Sequence, residues 1–460
     1  MSPITNKETL LQNARTPADL TAREAVLEAL EAALLAISPY QLIIDHVKVR
    51  DSKIVIGSEQ FVLDHFKHII VIGGGKASGS MVEALQYLLG NHITSGLINI
   101  FSGTSARYRT NKVVLNEAGH PIPNAQGLVG AKRMLELAEV AEEDDLVICL
   151  ISGGGSAMMT LPREGLTLED KQVVTRLLLR SGADIAEMNT VRKHLSEFKG
   201  GWLAKKAQPA TVLGLILSDV VGDPLDSIAS GPTAPDPTTY RDAIDILEKY
   251  RLWNEVPSKV RDILRMGDGG LLPETPKPND PAFNTVHNVI IGSNEMACLA
   301  AKTKLNKLGF NTSVLTSHLQ GEAREVGIFL ASIASEILSS GNPLPRPAAI
   351  VVGGETTVTV KGNGVGGRNQ ELVLSAATKI KGKKGLSIGS IGTDGIDGPT
   401  EAAGAIVDGK TLIRGRELGL NYKKALSNND SHTYLSGLGD LVITGPTGSN
   451  VNDLAILCVT

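Results

Sequence analysis

The chain has 460 residues, 42% of them hydrophobic and 20% charged, with 45 Lys and Arg against 49 Asp and Glu for a formal net charge of -4. That length exceeds one ordinary core and predicts two domains or one large elaborated one. The acidic balance, the lack of a long basic run and an aromatic content of only 3% exclude a nucleic-acid surface built on phosphate contacts and base stacking.

No apolar run approaches the ~20 residues of a membrane span, and no basic head followed by an apolar stretch and cleavage site opens the chain. A cytoplasmic protein with no membrane attachment is therefore expected. The three cysteines, Cys149, Cys298 and Cys458, lie far apart in apolar segments and read as small buried hydrophobes.

In chain order, "TAREAVLEALEAALLAI" from Thr21 repeats apolar positions at helical spacing and predicts a helix packed on a sheet. Next comes "HIIVIGGGKASGSM", His68 to Met81, an apolar run closed by three glycines and a lysine. A dinucleotide G-x-G-x-x-G pattern would start at Gly73 and pass Gly75, but Ser78 stands at its sixth position. A P-loop would need glycine at Ile70 and Ser or Thr at Ala77. The glycines then serve a turn at a strand end, with Gly74, Gly75, Lys76 and Ser78 kept as candidate ligand contacts.

Short β-branched runs ending in Gly, Ser or Asp turns recur downstream: "LVICLI" before Ser152, "TVLGLIL" before Ser218, "NVII" before Gly292, "AIVV" before Gly353, "SIGSI" before Gly392 and "LVIT" before Gly445. Alternating with helical patterns, they predict parallel sheets whose ligand sites lie at the carboxyl ends of the strands. "SGGGSAMM" contains Ser152, Gly153, Gly154, Gly155 and Ser156 after one such strand and opens toward a helix. It supports either an anion site or a tight turn, and the second glycine triplet at Lys76 adds weight to a polyanionic ligand.

His120 and His194 lack metal-ligand spacing, so structural hydrogen bonds are expected for both. Arg192 and Lys193 fit a solvated helix face, with Arg192 kept as a candidate contact to an anionic substrate. "SDVVGDPLDSIASGPTAPD" puts Asp219, Asp223 and Asp226 within eight residues; these are Mg²⁺ ligands, Asp219 and Asp223 first, or turn formers. "GDGGLLPETPKPNDP", rich in proline and acid, predicts an interdomain linker.

Beyond it, "GGETTVTVKGNGVGGRNQEL" places Glu355 after a strand, a Gly-rich hairpin, and Arg368 at a helix start, where a guanidinium can clamp phosphate or carboxylate. Asp394 and Asp397 follow another strand, and Thr444, Asn450 and Asp453 stand near the C-terminus; each group is ligand-facing or a structural turn. The residues alone support a Mg²⁺-assisted enzyme acting on phosphate-bearing and acidic small molecules.

Read together, "GGGKAS", "EAGHPIP", "SGGGSAMM", "NTVRKHLSEFKGG", "LSDVVGDPLDSIASGPTAPD", "GGETTVTVKGNGVGGRNQEL", "GTDGIDGPTEAAGA" and "TGPTGSNVNDL" resemble the glycerate 2-kinase family, named MOFRL after its C-terminal domain. The resemblance implies an α/β architecture. A Rossmann-like N-terminal domain with a parallel sheet would span 21–266, a linker 267–283 and a C-terminal α/β MOFRL domain 284–460, after an N-terminal extension at 1–20. It also implies an active-site cleft between the domains, closing by hinge motion. The implied reaction is ATP-dependent phosphorylation of D-glycerate at its 2-hydroxyl to 2-phosphoglycerate and ADP, with Mg²⁺ or another divalent cation.

The family's active-site lysine and arginine fall on Lys76 and Arg368. In that reading both neutralise charge on the transferred phosphoryl group, Asp219 or Asp223 holds the metal, the Ser152–Ser156 turn takes an anionic group and Asp394 orders the substrate hydroxyl. The methionines of "SGGGSAMM" leave substrate preference open, and a homodimer is compatible with the sequence. Two other activities remain to be distinguished. One is an NAD(P)H-dependent hydroxypyruvate reductase, a label carried by relatives of the family, which the failed dinucleotide pattern disfavours. The other is a non-catalytic sugar-acid binding protein, which the intact Lys76 and Arg368 disfavour.

Overall fold

A computed structural model of the protein describes residues 2–460. The chain forms two compact units, one of Pro39–Ile291 and the other of the residues before Pro39 together with Gly292–Thr460.

The first unit opens with a small antiparallel sheet of β1 (Lys48–Arg50), β2 (Lys53–Ile56) and β3 (Glu59–Val62). Its main sheet contains β4 (His68–Gly74), β5 (Ser95–Phe101), β6 (Val113–Ala118), β7 (Asp145–Ile151), β8 (Thr211–Leu217) and β9 (Val286–Gly292). The strand order is β6-β5-β4-β7-β8-β9, and β4 is parallel to both β5 and β7. β7 is buried along its whole length, as expected of a β-branched strand covered on both faces. The chain moves outward from β4 on one side of the sheet and from β7 on the other. Strand order therefore reverses between β4 and β7, and a crevice opens beyond their carboxyl ends.

The helix Ala125–Glu139, capped by Asn124 accepting from Gly127 N at 2.9 Å, covers one face. Its Met134, Leu135 and Ala138 join Val147, Cys149 and Ile151 in one core.

The second unit is built on β10 (Asn311–Leu319), β11 (Ala348–Gly354), β12 (Leu386–Gly392), β13 (Gly404–Asp408), β14 (Leu441–Val442) and β15 (Asp453–Val459). Their order is β10-β11-β15-β12-β13-β14. β10 and β11 are parallel, but β15 runs antiparallel to both β11 and β12, so this sheet is mixed rather than parallel. The C-terminal strand enters the centre of the sheet, and its direction is set by where the chain returns, not by its apolar pattern.

The unit boundaries differ from those expected at 20/21 and 267–283. The helix expected from Thr21 spans Pro17–Ala36, is capped by Thr16 accepting from Asp19 N at 3.2 Å, and packs on β12 and β15. Arg23 on this helix is fully buried, bonded to Asp408 at 2.6 Å, Asp440 at 3.0 Å and the Leu10 carbonyl at 2.9 Å. Removing that helix would leave the buried Asp408 without its cation and Asp440 with Arg414 alone, which ties the N-terminal segment to the C-terminal sheet.

The expected linker is likewise part of the first unit. Thr275 is buried and donates to Asp236 at 3.1 Å, and Glu274 accepts from Tyr240 N at 3.1 Å. Its prolines shape a packed strap, not a hinge. The expected Gly-rich hairpin before Arg368 is a single loop instead, with Lys361 N and Val365 N donating to Asn429 and Asp430 at 2.7 and 3.0 Å. All three cysteines are free and buried. Among the described residues no single helix is long and apolar enough to cross a membrane.

Candidate active site

In the first unit, β4 ends in the glycine triplet. Gly73 has φ +136°, and a Cβ there would stand 2.1 Å from the Leu150 carbonyl oxygen; Gly75 has φ +144°, and a Cβ would stand 2.2 Å from Ser152 Oγ. Only glycine lets the turn after β4 lie directly on the turn after β7. Two backbone bonds join the turns, Lys76 N to the Gly153 carbonyl at 2.9 Å and Ser152 N to the Gly74 carbonyl at 3.4 Å. Ser152 Oγ accepts from Ala77 N at 3.1 Å and lies 3.2 Å from Ser78 Oγ, and both serines are fully buried.

Four expected ligand contacts, Gly74, Gly75, Ser78 and Ser152, are thus internal struts of the crevice. Their packing fixes where the half-buried Lys76 side chain begins. The helix opened by Gly155 is only Gly155–Met158. One turn adds almost no macrodipole, so the case for an anion rests mainly on side chains.

Those side chains surround a cavity of about 300 Å³ beside the turn, lined by His120, Gly154, Ser156, Lys171, Arg192 and Lys199 among others. Lys199 is 2% exposed and donates to the Ser156 carbonyl and, at 3.4 Å, to Ser156 Oγ. Lys171, 5% exposed, donates to the Leu195 carbonyl at 3.1 Å. Neither ammonium is bonded to a carboxylate among the described residues. Burial, with repulsion from Arg192, pushes Lys171 down to about 7; burial, with repulsion from Lys171 and Arg192, holds Lys199 well below the usual lysine range.

His120 is pushed down to about 4 by burial and by the nearby Lys76 charge, so its imidazole is neutral at physiological pH. Gly154 joins these parts: a Cβ on it would stand 3.0 Å from His120 Cδ2 and 3.4 Å from Lys76 Cγ.

Arg192 thus faces a cavity and not bulk solvent, whereas Lys193 is buried in ion pairs with Asp226 and Asp236 at 3.0 and 3.1 Å. His194 is structural, its Nδ1 2.8 Å from the Thr190 carbonyl and its Nε2 2.9 Å from Glu274.

Asp219 follows β8, and its carboxylate packs on the glycine turn; a Cβ on Gly153 would fall 2.5 Å from Asp219 Oδ2. Among the described residues no group of three or more His, Cys, Asp or Glu could hold a metal ion. Mg²⁺ commonly takes only one or two carboxylates with phosphates and water, so Asp219, a hard oxygen donor beside the switch-point turn, fits such a role. Asp223 lies in the following turn at φ +55°, its N donating to the Val220 carbonyl at 3.1 Å.

In the second unit, Arg368 opens the helix Arg368–Ile380. Asp397 caps that helix, accepting from Asn369 N at 3.0 Å and Gln370 N at 2.9 Å. The guanidinium binds Asp453 through Nε at 2.5 Å and Nη2 at 2.9 Å, and Nη2 also lies 3.1 Å from Glu355. These carboxylates raise the arginine further above its ordinary value against the opposing effect of burial. Burial raises Glu355 and Asp453 in turn, opposed by Arg368. Asp394 accepts from Ile396 N at 3.1 Å in a turn and adds its charge near Glu355. Glu355, Arg368, Asp394 and Asp453 therefore form one acid-rich cluster.

The family model for the MOFRL family matches residues 348–453, and that for a domain of unknown function (DUF4147) matches residues 25–265. Over 439 residues the chain is 44% identical to glycerate 2-kinase of Pyrococcus horikoshii, covering 95% of this chain and 97% of that protein. The chain belongs to the glycerate 2-kinase family.

A second relative, D-glycerate 2-kinase of Thermotoga maritima, is 46% identical over 388 residues, 84% of this chain and 90% of that protein. A crystal structure of glycerate kinase from Thermotoga maritima superposes with a TM-score of 0.86 at 41% identity, covering 96% of this chain and all of that one. The family also contains a protein of Agrobacterium vitis named putative hydroxypyruvate reductase, 37% identical over 443 residues, 96% of this chain and 95% of that one.

Within this glycerate 2-kinase family member, sequence reasoning missed Lys171 and Lys199. Lys199 carried a signal, the "KGG" run, whose Gly200 has φ +59°. Lys171 sits in "LTLEDKQ", which reads as a solvated helix start and gives no hint of burial.

Proposed function

We propose that this chain transfers the γ-phosphoryl group of ATP to the 2-hydroxyl of D-glycerate, giving 2-phosphoglycerate and ADP. The observation that carries the reading is Lys76, fixed at the β4/β7 switch point beside His120 and a cationic cavity, in a member of the glycerate 2-kinase family. The glycerate hydroxyl oxygen bonds to the γ-phosphorus, the bond from that phosphorus to ADP breaks, and the hydroxyl proton is released. Such transfers need positioning and charge neutralisation more than covalent protein chemistry.

Lys76 supplies a cation whose backbone is anchored to Gly153. Arg368 supplies a second, held in orientation by Asp453 and Glu355, with Nη1 outside both pairs. Asp394 orders the substrate hydroxyl. Asp219 would hold Mg²⁺, with Asp223 as the next carboxylate along the turn; when bound, the ion neutralises phosphate charge.

Incubation of purified protein with D-glycerate, Mg²⁺ and either ATP or a nicotinamide cofactor tests the reading. ADP with 2-phosphoglycerate is expected. Redox change of the nicotinamide would assign a reductase instead, and glycerate binding without product a sugar-acid binding protein.

A further inference from the structure

We propose that Lys171, Arg192 and Lys199 form the subsite that recognises the carboxylate of the acceptor, and so select an acid over the corresponding alcohol or aldehyde. This rests on the glycerate kinase reading and adds to it a specificity site separate from Lys76 and Arg368.

A buried ammonium without a counter-ion is costly, and proteins ordinarily pair it with a carboxylate. Lys193 and Arg163 in the same unit follow that rule, contacting Asp226 and Asp236, and Glu197, respectively. Lys171 and Lys199 do not; their bonds go to neutral oxygens of Leu195 and Ser156. Both line the same cavity as Arg192, so the unpaired cations of three separate segments converge on one space. A ligand anion is the counter-ion this geometry lacks. Because the Ser156 turn already holds Lys199, little ordering remains to be done on binding.

Size and position favour the acceptor over the nucleotide. At about 300 Å³ the cavity stands at the lower end for small-molecule sites, enough for a three-carbon acid and too little for a whole nucleotide. Gly154 lines it and also meets Lys76, so its edge adjoins the lysine assigned to the phosphoryl group. The charged and titratable neighbours agree. Burial and then Arg192 depress Lys171, with Glu197 opposing; burial and then Lys171 and Arg192 depress Lys199; and burial together with Lys76 keeps His120 neutral. A carboxylate entering the cavity favours the charged form of Lys171, so binding takes up protons from solvent at pH 8.

A nucleotide phosphate shares this anion chemistry, and kinetics separates the two sources. In Lys199→Met and Arg192→Gln the KM for D-glycerate should rise roughly 10–100-fold, the loss of one hydrogen bond to a charged group, with the KM for ATP changed less than about twofold. A raised KM for ATP with an unchanged KM for D-glycerate would overturn the proposal in favour of a phosphate pocket.

Calorimetry on the wild-type protein, without nucleotide and in two buffers of different ionisation enthalpy, reads the same site without any variant. D-glycerate should bind with proton uptake and glycerol should not bind. Glycerate binding without proton exchange, or equal binding of glycerol, would overturn the carboxylate pocket. A wild-type protein that binds D-glycerate with proton uptake but transfers no phosphoryl group would refute the kinase reading while supporting the subsite.

Discussion

The two charged clusters are electrostatic opposites. Around the glycine turn of the first unit, Lys171, Arg192 and Lys199 share a cavity without a bonded carboxylate, and burial drives both lysines toward the neutral form. Around Arg368 in the second unit, one guanidinium serves two carboxylates with Asp394 close by, and burial raises Glu355 and Asp453. The first cluster lacks an anion and the second already holds an internal one. A cation without an internal partner is poised for a ligand, whereas a bidentate pair such as Arg368–Asp453 first fixes a geometry. Removing Lys76, at the edge of the first cluster, should therefore cost activity alone, and removing Arg368 should cost activity and stability together.

The largest expected effect tests that contrast directly. Lys76→Ala should lower kcat by roughly 10²–10³-fold, the scale for losing one electrostatic contact to a transition state, with an unchanged unfolding midpoint. Arg368→Ala should lower kcat comparably and also destabilise the second unit by about 1–3 kcal/mol, because Asp453 is left buried without its donor. Urea titration of both variants checks the stability half, and equal midpoints would erase the distinction.

A smaller effect is expected at Asp397, which is bonded to neither cluster, though its charge acts on Arg368 and Asp453, and which caps the helix that Arg368 opens. Asp397→Ala should cost about 1–2 kcal/mol and lower kcat through the displaced arginine. Asp397→Asn keeps one acceptor oxygen but turns an amide NH2 toward the donors of the other, so it should rescue both only in part; an Asn variant as impaired as the Ala variant would count against the cap as the cause.

A last effect, read in stability and not in turnover, sharpens the first cluster alone. Folded Lys171 releases its proton near pH 7, against 10.5 for an ordinary lysine. Below pH 7 folded and unfolded chains both hold the proton, and the full penalty of the buried charge is present. Between pH 7 and 10.5 only the unfolded chain holds it, so wild-type stability from this group climbs with pH. Lys171→Met should therefore exceed the wild type in thermal midpoint by most at pH 6, with the gap narrowing toward pH 10. A constant gap would show that Lys171 carries no such shift.

Much of the scaffold was legible because it rests on local pattern. Runs such as "HIIVI", "LVICLI" and "AIVV" lie in the strands β4, β7 and β11, and their terminal turns mark the strand ends that carry Lys76 and Ser152–Ser156. Strand direction was not legible. The apolar segment Asp453–Val459 inserts antiparallel between β11 and β12, a long-range choice that periodicity does not encode. The attachment of the N-terminal helix to the second unit is not legible for a related reason, since the buried partners of Arg23 lie 385 and 417 residues away.

At the site, the glycine spacing marks the crevice but not the direction in which its side chains point. Ser78 and Ser152 look like phosphate ligands in sequence, yet their hydroxyls turn inward to hold the two turns together. Lys171 looks like a surface residue in sequence, yet both it and Lys199 are buried. A lysine's partner, or its lack of one, is a property of packing, and only the folded chain displays it.

The most direct test of the account is phosphorus NMR of the products formed from D-glycerate and MgATP by the wild type and by Lys76→Ala. The account predicts 2-phosphoglycerate and ADP from the wild type and at least roughly hundredfold slower formation by the variant. A wild-type product other than 2-phosphoglycerate, or a variant that turns over at the wild-type rate, would contradict it.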